Sequence, residues 1–395
     1  MNIAYVCADP GVPVFGSKGC SLHVQEMMRA LRGLGADVSL FATRTGGEPP
    51  ADLAGAPLVL LPAAGRDNEA AREQALLAAN ADLAMELRAA GKFDLVYERY
   101  SLWSHAGLEA ARAAGIPTVL EVNAPLIEEQ QRYRHLHDIE AARQSARRAF
   151  AAADVLVAVS AGVAEYLEGF EEARGRVHVI ANGVDTKRFE KVVLTTTSRP
   201  FTIGFVGTLK PWHGVEVLLQ AFARFHADTA DSRLLIVGYG PEHAALVTLA
   251  DQLGIGAAVE FTGAVDPERI PALLAEMDVG VAPYPETADF YFSPLKVYEY
   301  MAAGLAVVAS RIGQLNDLIV DGEDGLLCPP GDADALSAAF TRLHGDSDLL
   351  HRLGRMARGK VKAEHTWNSV AHKVLALALP AWTGIADAEI AEGVV

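Results

Sequence analysis

Phe290-Tyr-Phe-Ser-Pro-Leu-Lys-Val-Tyr-Glu-Tyr-Met-Ala-Ala-Gly-Leu-Ala-Val-Val-Ala-Ser310 reads as a loop, a short helix and a buried strand. Ser293 is a good N-cap, and Pro294 suits the first helical position, where a missing N–H costs nothing. The N–H groups of Leu295, Lys296 and Val297 are then free at the helix start, and with the helix dipole behind them they suit a phosphate or another anion. Glu299 follows one turn later, on the side of Leu295 and Lys296. Its carboxylate can accept hydrogen bonds from two neighbouring hydroxyls, as on a ribose. An ordinary amphipathic helix packed on a sheet fits the same residues.

The alternation of short apolar runs with longer helical patterns extends outward from this stretch. Before it lie strand candidates Asn2–Cys7, Asp37–Phe41, Pro57–Leu61, Leu95–Tyr97, Thr118–Val122, Val155–Val159 and Val177–Ile180. Helical stretches separate them, among them Ser21–Leu34, Asn68–Ala90, Ala106–Ala114 and Leu126–Ala152. The pattern restarts with Thr202–Val206, Arg233–Val237, Val259–Thr262, Val279–Ala282, Ala306–Ala309 and Gly325–Leu327. Strands apolar on both faces, with helices as crossovers, describe parallel α/β sheets. The expected fold is α/β, with two Rossmann-like doubly wound domains facing a central cleft. Residues 1–195 form the first domain and 200–366 the second. Leu194-Thr-Thr-Thr-Ser is the linker, and a helix in 367–395 packs back on the first domain.

The 395 residues are 51% apolar and 21% charged, a globular composition. A net charge of −16 without a basic stripe argues against a nucleic acid partner. Cys7, Cys20 and Cys328 have no metal-ligand spacing and suggest no disulfide framework. No apolar stretch reaches the about 18 residues of a membrane span, and Met1–Ala8 lacks a signal peptide's basic flank, so the cytoplasm is the expected compartment. The arginines between Leu126 and Ala152 alternate with acidic residues, as on a solvated face, which makes membrane contact an outside prospect.

The segments Gly11-Val-Pro-Val-Phe-Gly-Ser-Lys-Gly-Cys-Ser-Leu-His-Val24, Val179-Ile-Ala-Asn-Gly-Val-Asp185 and Phe205-Val-Gly-Thr-Leu-Lys-Pro-Trp-His-Gly214 come in a characteristic order. Leu235-Ile-Val-Gly-Tyr-Gly-Pro241, Val281-Ala-Pro-Tyr284, Lys296-Val-Tyr-Glu-Tyr-Met-Ala-Ala-Gly304 and Gly322-Glu-Asp-Gly-Leu-Leu327 complete the series. With these the chain resembles the retaining family 4 glycosyltransferases of the two-Rossmann-domain (GT-B) fold over nearly its whole length.

The resemblance implies transfer of a hexose or N-acetylhexosamine from a UDP or GDP sugar to an acceptor hydroxyl of a glycan, glycolipid or natural product. Glu299 matches the glutamate on the donor ribose. Tyr291, Phe292, Ser293, Pro294, Leu295 and Lys296 match the loop that meets the donor phosphates and sugar. Gly207 and Lys210 belong to the strand-end loop beneath the diphosphate, and Gly16, Lys18 and Gly19 to the loop that closes over it. Three departures stand out. Tyr291 occupies the place of a second glutamate, and Thr208 and His213 stand where an arginine and a lysine are usual, leaving Lys210 as the substitute cation for a diphosphate leaving group. Asn123 stands where a histidine is common, although its amide can still bond a sugar hydroxyl.

Catalysis is thus expected from Lys210, Glu299 and Asn123. The acceptor-side candidates are Glu98, Arg99, His105, Glu121 and Asn123, since ligands of open α/β sheets lie beyond the carboxyl ends of strands. His23, in the first turns of its helix, is a neutral hydrogen-bonding or packing residue. No cofactor is expected, and no metal, since no Asp-x-Asp cluster or His/Cys set has ligand spacing. The rivals are a dehydrogenase, a nucleotide-sugar epimerase and a non-catalytic nucleotide-sugar binder. Val237-Gly-Tyr-Gly-Pro-Glu242 lacks the third glycine of a dinucleotide loop, which weighs against the first.

Overall fold

The computed structural model describes all residues except 63, 64, 66, 67, 193–198, 288, 289, 292 and 383–395. The described chain groups into two compact units. One comprises Met1–Asn182, Tyr291–Ser293 and the residues from Trp367 on; the other comprises Gly183–Phe290 and Pro294–Thr366. The chain thus passes from the first unit to the second at Asn182, ahead of the expected linker. That linker lies outside the described residues.

The first unit holds strands β1 (Asn2–Cys7), β2 (Asp37–Ala42), β3 (Leu58–Leu60), β4 (Leu95–Arg99), β5 (Thr118–Val122), β6 (Val155–Ala158) and β7 (Val177–Val179). They form one parallel sheet in the order β3-β2-β1-β4-β5-β6-β7. Parallel neighbours need crossovers, and the runs between the strands supply them as helices. Val6, Leu120, Phe150 and Leu156 lie fully buried between sheet and helices. Each such side chain contributes about 1.5–3 kcal/mol. The helix Trp367–Ala378 packs on the helix Gly19–Gly33, and the Trp367 ring meets the edge of His23 at 4.8 Å between centroids.

The second unit holds β8 (Phe201–Val206), β9 (Ser232–Val237), β10 (Val259–Phe261), β11 (Val279–Ala282), β12 (Ala306–Ser310) and β13 (Leu326–Cys328). Their order is β10-β9-β8-β11-β12-β13, again parallel. Ile203, Phe205, Phe222 and Phe340 are fully buried in its core. The helix Leu295–Ala303 lies flat on this sheet because Gly280 in β11 makes room for it. A Cβ there would stand 2.5 Å from Tyr300 Cγ. Tyr300 Oη in turn accepts the Val206 N–H at 2.7 Å, tying the helix to the end of β8.

Three helical runs differ from expectation. The stretch Asn68–Ala90 is two helices, Glu69–Ala78 and Asn80–Ala89, because Asn80 is held by tertiary bonds: its amide donates to the Trp103 carbonyl at 2.8 Å and accepts from His105 N–H at 3.0 Å. The stretch 126–152 divides into Leu126–Tyr133 and Ile139–Ala152. The Glu73 carboxylate accepts the His137 and Asp138 N–H groups between them, each at 3.0 Å. The helix after Phe290 begins at Leu295, one residue later than expected.

Candidate functional site

The order of the second sheet reverses between β8 and β11, the place where an open α/β sheet leaves a crevice at its carboxyl edge. The loop leaving β8 starts at Gly207, whose φ of 151° disfavours any residue with a Cβ. That Cβ would also stand 2.9 Å from Lys296 Nζ. Lys296 is 9% exposed. Its ammonium nitrogen stands 4.0 Å from the Phe205 ring centre and 5.3 Å from that of Tyr284, and among the described residues it has no hydrogen-bond partner. Burial pushes its pKa down to about 7, against the opposing pull of Glu299.

Glu299, one turn into the helix, is half-buried. Its Oε1 accepts from Arg188 Nη1 at 3.3 Å, and Arg188 Nη2 donates to the Pro267 carbonyl at 2.9 Å. Arg188 escaped the sequence reading. It lies three residues beyond the Asn182-Gly-Val-Asp185 segment, and that proximity was the available signal. Lys210 is half-buried in the same loop as Gly207, its Nζ 5.4 Å from the Trp212 ring centre. His213 Nδ1 donates to the Thr208 carbonyl. Burial and the neighbouring Lys296 hold the imidazole's pKa down at about 3, so it brings no charge at neutral pH.

Several sequence assignments need correction. Ser293 is not the N-cap: its hydroxyl accepts the Asn182 N–H at 3.4 Å, and Pro294 takes the cap position with no side-chain bond to the helix. Val297 N–H is not free, because it bonds the Pro294 carbonyl at 2.9 Å. Leu295 and Lys296 remain the first-turn positions of interest. Tyr291 groups with the first unit, where its hydroxyl donates to Glu129 and its carbonyl accepts from Ser160 Oγ at 2.6 Å. Phe292 lies outside the described residues.

In the first unit the sheet order reverses between β1 and β4, and a buried polar cluster collects at the strand ends there. His23 Nε2 lies 2.9 and 2.8 Å from the two Glu121 carboxylate oxygens. Arg99 Nη1 stands 3.9 Å from Glu121 Oε2 and has no hydrogen-bond partner among the described residues, while half-buried Asn123 donates to Glu121 Oε2 at 3.2 Å. Burial works to raise the Glu121 pKa. The charge and hydrogen bond of His23, then Arg99 and Asn123, outweigh it and hold the carboxyl at about 2. His23 thus hydrogen-bonds Glu121 as well as packing against Trp367.

Glu98, near the end of β4, is fully buried, and neither carboxyl oxygen has a hydrogen-bond partner among the described residues. Burial raises its pKa to about 7, which the nearby Ser104 only partly counters. Glu98 is therefore no surface carboxylate. His105 is 4% exposed and its Nδ1 meets Ser145 Oγ at 3.1 Å, so the ring braces the helix Ala106–Ala113 against Ile139–Ala152. The glycine loop is a tight turn: Gly16 N–H bonds the Pro13 carbonyl at 2.8 Å, and Gln25 Nε2 donates to the Val14 and Gly16 carbonyls at 3.0 Å each. Gly19 opens the helix, and Lys18, in the cap position, is exposed.

Among the described residues no group of three or more His, Cys, Asp or Glu side chains is placed to hold a metal ion. No described helix is long and apolar enough to cross a membrane.

Residues 17–188 match the Glycosyltransferase Family 4 model, and residues 200–346 match the Glycosyl transferases group 1 model. The chain is a family 4, group 1 glycosyltransferase. This glycosyltransferase is 27% identical to glycogen synthase of Mycobacterium tuberculosis over 289 residues, covering 70% of this chain and 66% of that protein. It is 28% identical to D-inositol 3-phosphate glycosyltransferase 2 of Catenulispora acidiphila over 386 residues, covering 89% of this chain and 88% of the relative. Among solved structures, Anabaena Alr3699/HepE in complex with UDP superposes with a TM-score of 0.71 at 20% identity, covering 97% of this chain and 100% of that one. At that identity the likeness speaks for the two-domain GT-B fold alone.

Proposed function

We propose that this glycosyltransferase moves a hexose or N-acetylhexosamine from a UDP or GDP sugar to an acceptor hydroxyl, retaining the anomeric configuration. The observation that carries the reading is Glu299. Its carboxylate sits one turn from a helix start at the switch point of the second unit, set there by Arg188. On this reading Glu299 accepts the ribose hydroxyls, the first-turn amides around Leu295 and Lys296 meet the diphosphate, and Lys210 offsets the charge that builds on it.

In the reaction the bond between the anomeric carbon and the diphosphate oxygen breaks. The acceptor oxygen bonds to that carbon from the same face, and its proton passes to the departing diphosphate. The protein supplies position and charge stabilisation rather than an acid–base pair. Asn123 of the first unit serves the acceptor hydroxyls, its amide held by the Glu121 carboxylate beneath it. Glu98 and His105, being buried, support that region from behind. The same reading has the enzyme work without metal or cofactor in the cytoplasm, where a chelator leaves its rate unchanged. Loss of activity with a chelator and recovery with manganese would count against it.

A donor screen scoring release of UDP, GDP or ADP, paired with thermal shifts, tests the proposal. One diphosphate should be released and should stabilise the protein. Stabilisation without turnover across a broad acceptor panel favours the non-catalytic binder.

A further inference from the structure

We propose that the side-chain amine of Lys296, and not only the main-chain amide of that residue, is the principal cation for the donor's diphosphate. This deepens the donor reading above and rests on it. The amine lies at the point where the sheet order reverses: against Gly207 at the end of β8, over the ring of Phe205, and beside Tyr284 just past β11. It projects from the first turn of a nine-residue helix, so its charge and the helix's positive end reinforce each other.

A buried amine without a hydrogen-bond partner is costly to keep, and it is most relieved by an anion within reach. The two aromatic faces stabilise an ammonium to a lesser degree than a phosphate oxygen does. Other groups around the switch point supply less. Thr208 is uncharged, His213 is neutral, and Lys210 leans over Trp212 with a half-exposed stem. Glu299 on the same helix is already paired with Arg188. Charged or titratable groups facing Lys296 among the described residues are thus Glu299 from its own helix, His213 from the loop after β8, and Tyr284 from the loop after β11.

The arrangement has a signature that a purely structural lysine lacks. With a pKa near 7 in the free protein, the amine is mostly uncharged at pH 8, and a bound diphosphate draws it into the charged form. Binding must therefore take up nearly one proton at pH 8, and affinity must fall as pH rises above about 7.

Titration calorimetry at pH 8 in two buffers of different ionisation enthalpy measures that uptake directly. The probes are UDP, GDP and ADP, each set against its nucleoside, on the full chain and on Lys296→Met. The diphosphate that binds should take up close to one proton, and the methionine variant should bind it about 10- to 100-fold more weakly with no uptake. Nucleoside affinity should be the same in both proteins. Unchanged diphosphate affinity in the variant, or no proton uptake by the unaltered protein, overturns the inference. If the variant does not fold, the proton count on the unaltered protein alone decides. Failure of all three diphosphates to bind the unaltered protein would instead overturn the donor reading itself.

Discussion

Arg188 Nη1 and Glu299 Oε1 stand 3.3 Å apart, joining the segment after Asn182-Gly-Val-Asp185 to the helix that begins at Leu295. Both side chains are about a quarter exposed or less, and the pair's second anchor is the Pro267 carbonyl. The contact orients the Glu299 carboxylate one turn from the helix start, so its value is expected in binding more than in stability. Glu299→Ala should raise the donor KM or lower kcat about 10- to 100-fold, as loss of a paired charged hydrogen-bond site does. Arg188→Ala should act in the same direction and more weakly, with thermal stability within about 1 kcal/mol of the parent. Steady-state kinetics of both variants and of the double variant check this. Additive effects would show that the two residues act separately.

Lys210→Ala should chiefly slow the chemical step, because negative charge on the diphosphate grows as the glycosidic bond breaks. A loss of about 10- to 100-fold in single-turnover rate, with donor Kd changed by less than about 3-fold, is the expected split. An unchanged single-turnover rate removes Lys210 from the chemistry.

Glu98 gives a pH signature in stability. Its folded pKa is about 7, above the about 4.3 of an unfolded glutamate, so between those values the native state holds the extra proton. Stability therefore falls as pH rises through that window and levels off above it. Glu98→Gln keeps the neutral form at every pH. It should be more stable than the parent by up to about 3 kcal/mol at pH 8 and nearly equal at pH 4. Denaturant unfolding at both pH values checks this, and a gain confined to pH 4 would contradict it.

Glu121 works in the opposite sense. Held at about 2 in the folded chain, it contributes stability fully above about 4.3 and loses it as pH falls toward 2. Glu121→Gln leaves the buried Arg99 guanidinium without its counter-charge, at a cost of about 3 kcal/mol at pH 7. The deficit relative to the parent should shrink between pH 4.5 and pH 2.5. An equal deficit at both ends would show that packing, not charge, carries the effect.

The two sheets were legible because parallel strands are buried on both faces and so read as unbroken apolar runs. Asn2–Cys7, Thr118–Val122 and Val279–Ala282 occupy the expected bounds, and the remaining strands differ by a residue or two at their ends. What escaped detection depends on partners distant in the chain. No breaker marks the division at Ala79, which follows from Asn80 reaching Trp103 and His105. Ser293 has the right identity for a cap but a competing donor in Asn182, 111 residues away. Glu98 and Arg99 look like surface charges, and only the register of β4 between β1 and β5 buries them. At the candidate site, Glu299 and Lys210 could be picked out by position in a motif. The partnership of Arg188 with Glu299 and the placement of the Lys296 amine against Gly207 could not, since each needs two segments distant in the chain brought together by the fold.

The most direct measurement compares nucleoside-diphosphate release from a panel of nucleotide sugars by the unaltered enzyme and by Glu299→Ala, at matched folded concentration. One sugar nucleotide should be cleaved with an acceptor present, and the variant should lose most of that release. Equal release by the two proteins, or none from any donor together with no binding, would contradict a donor site built on the turn leading into Glu299.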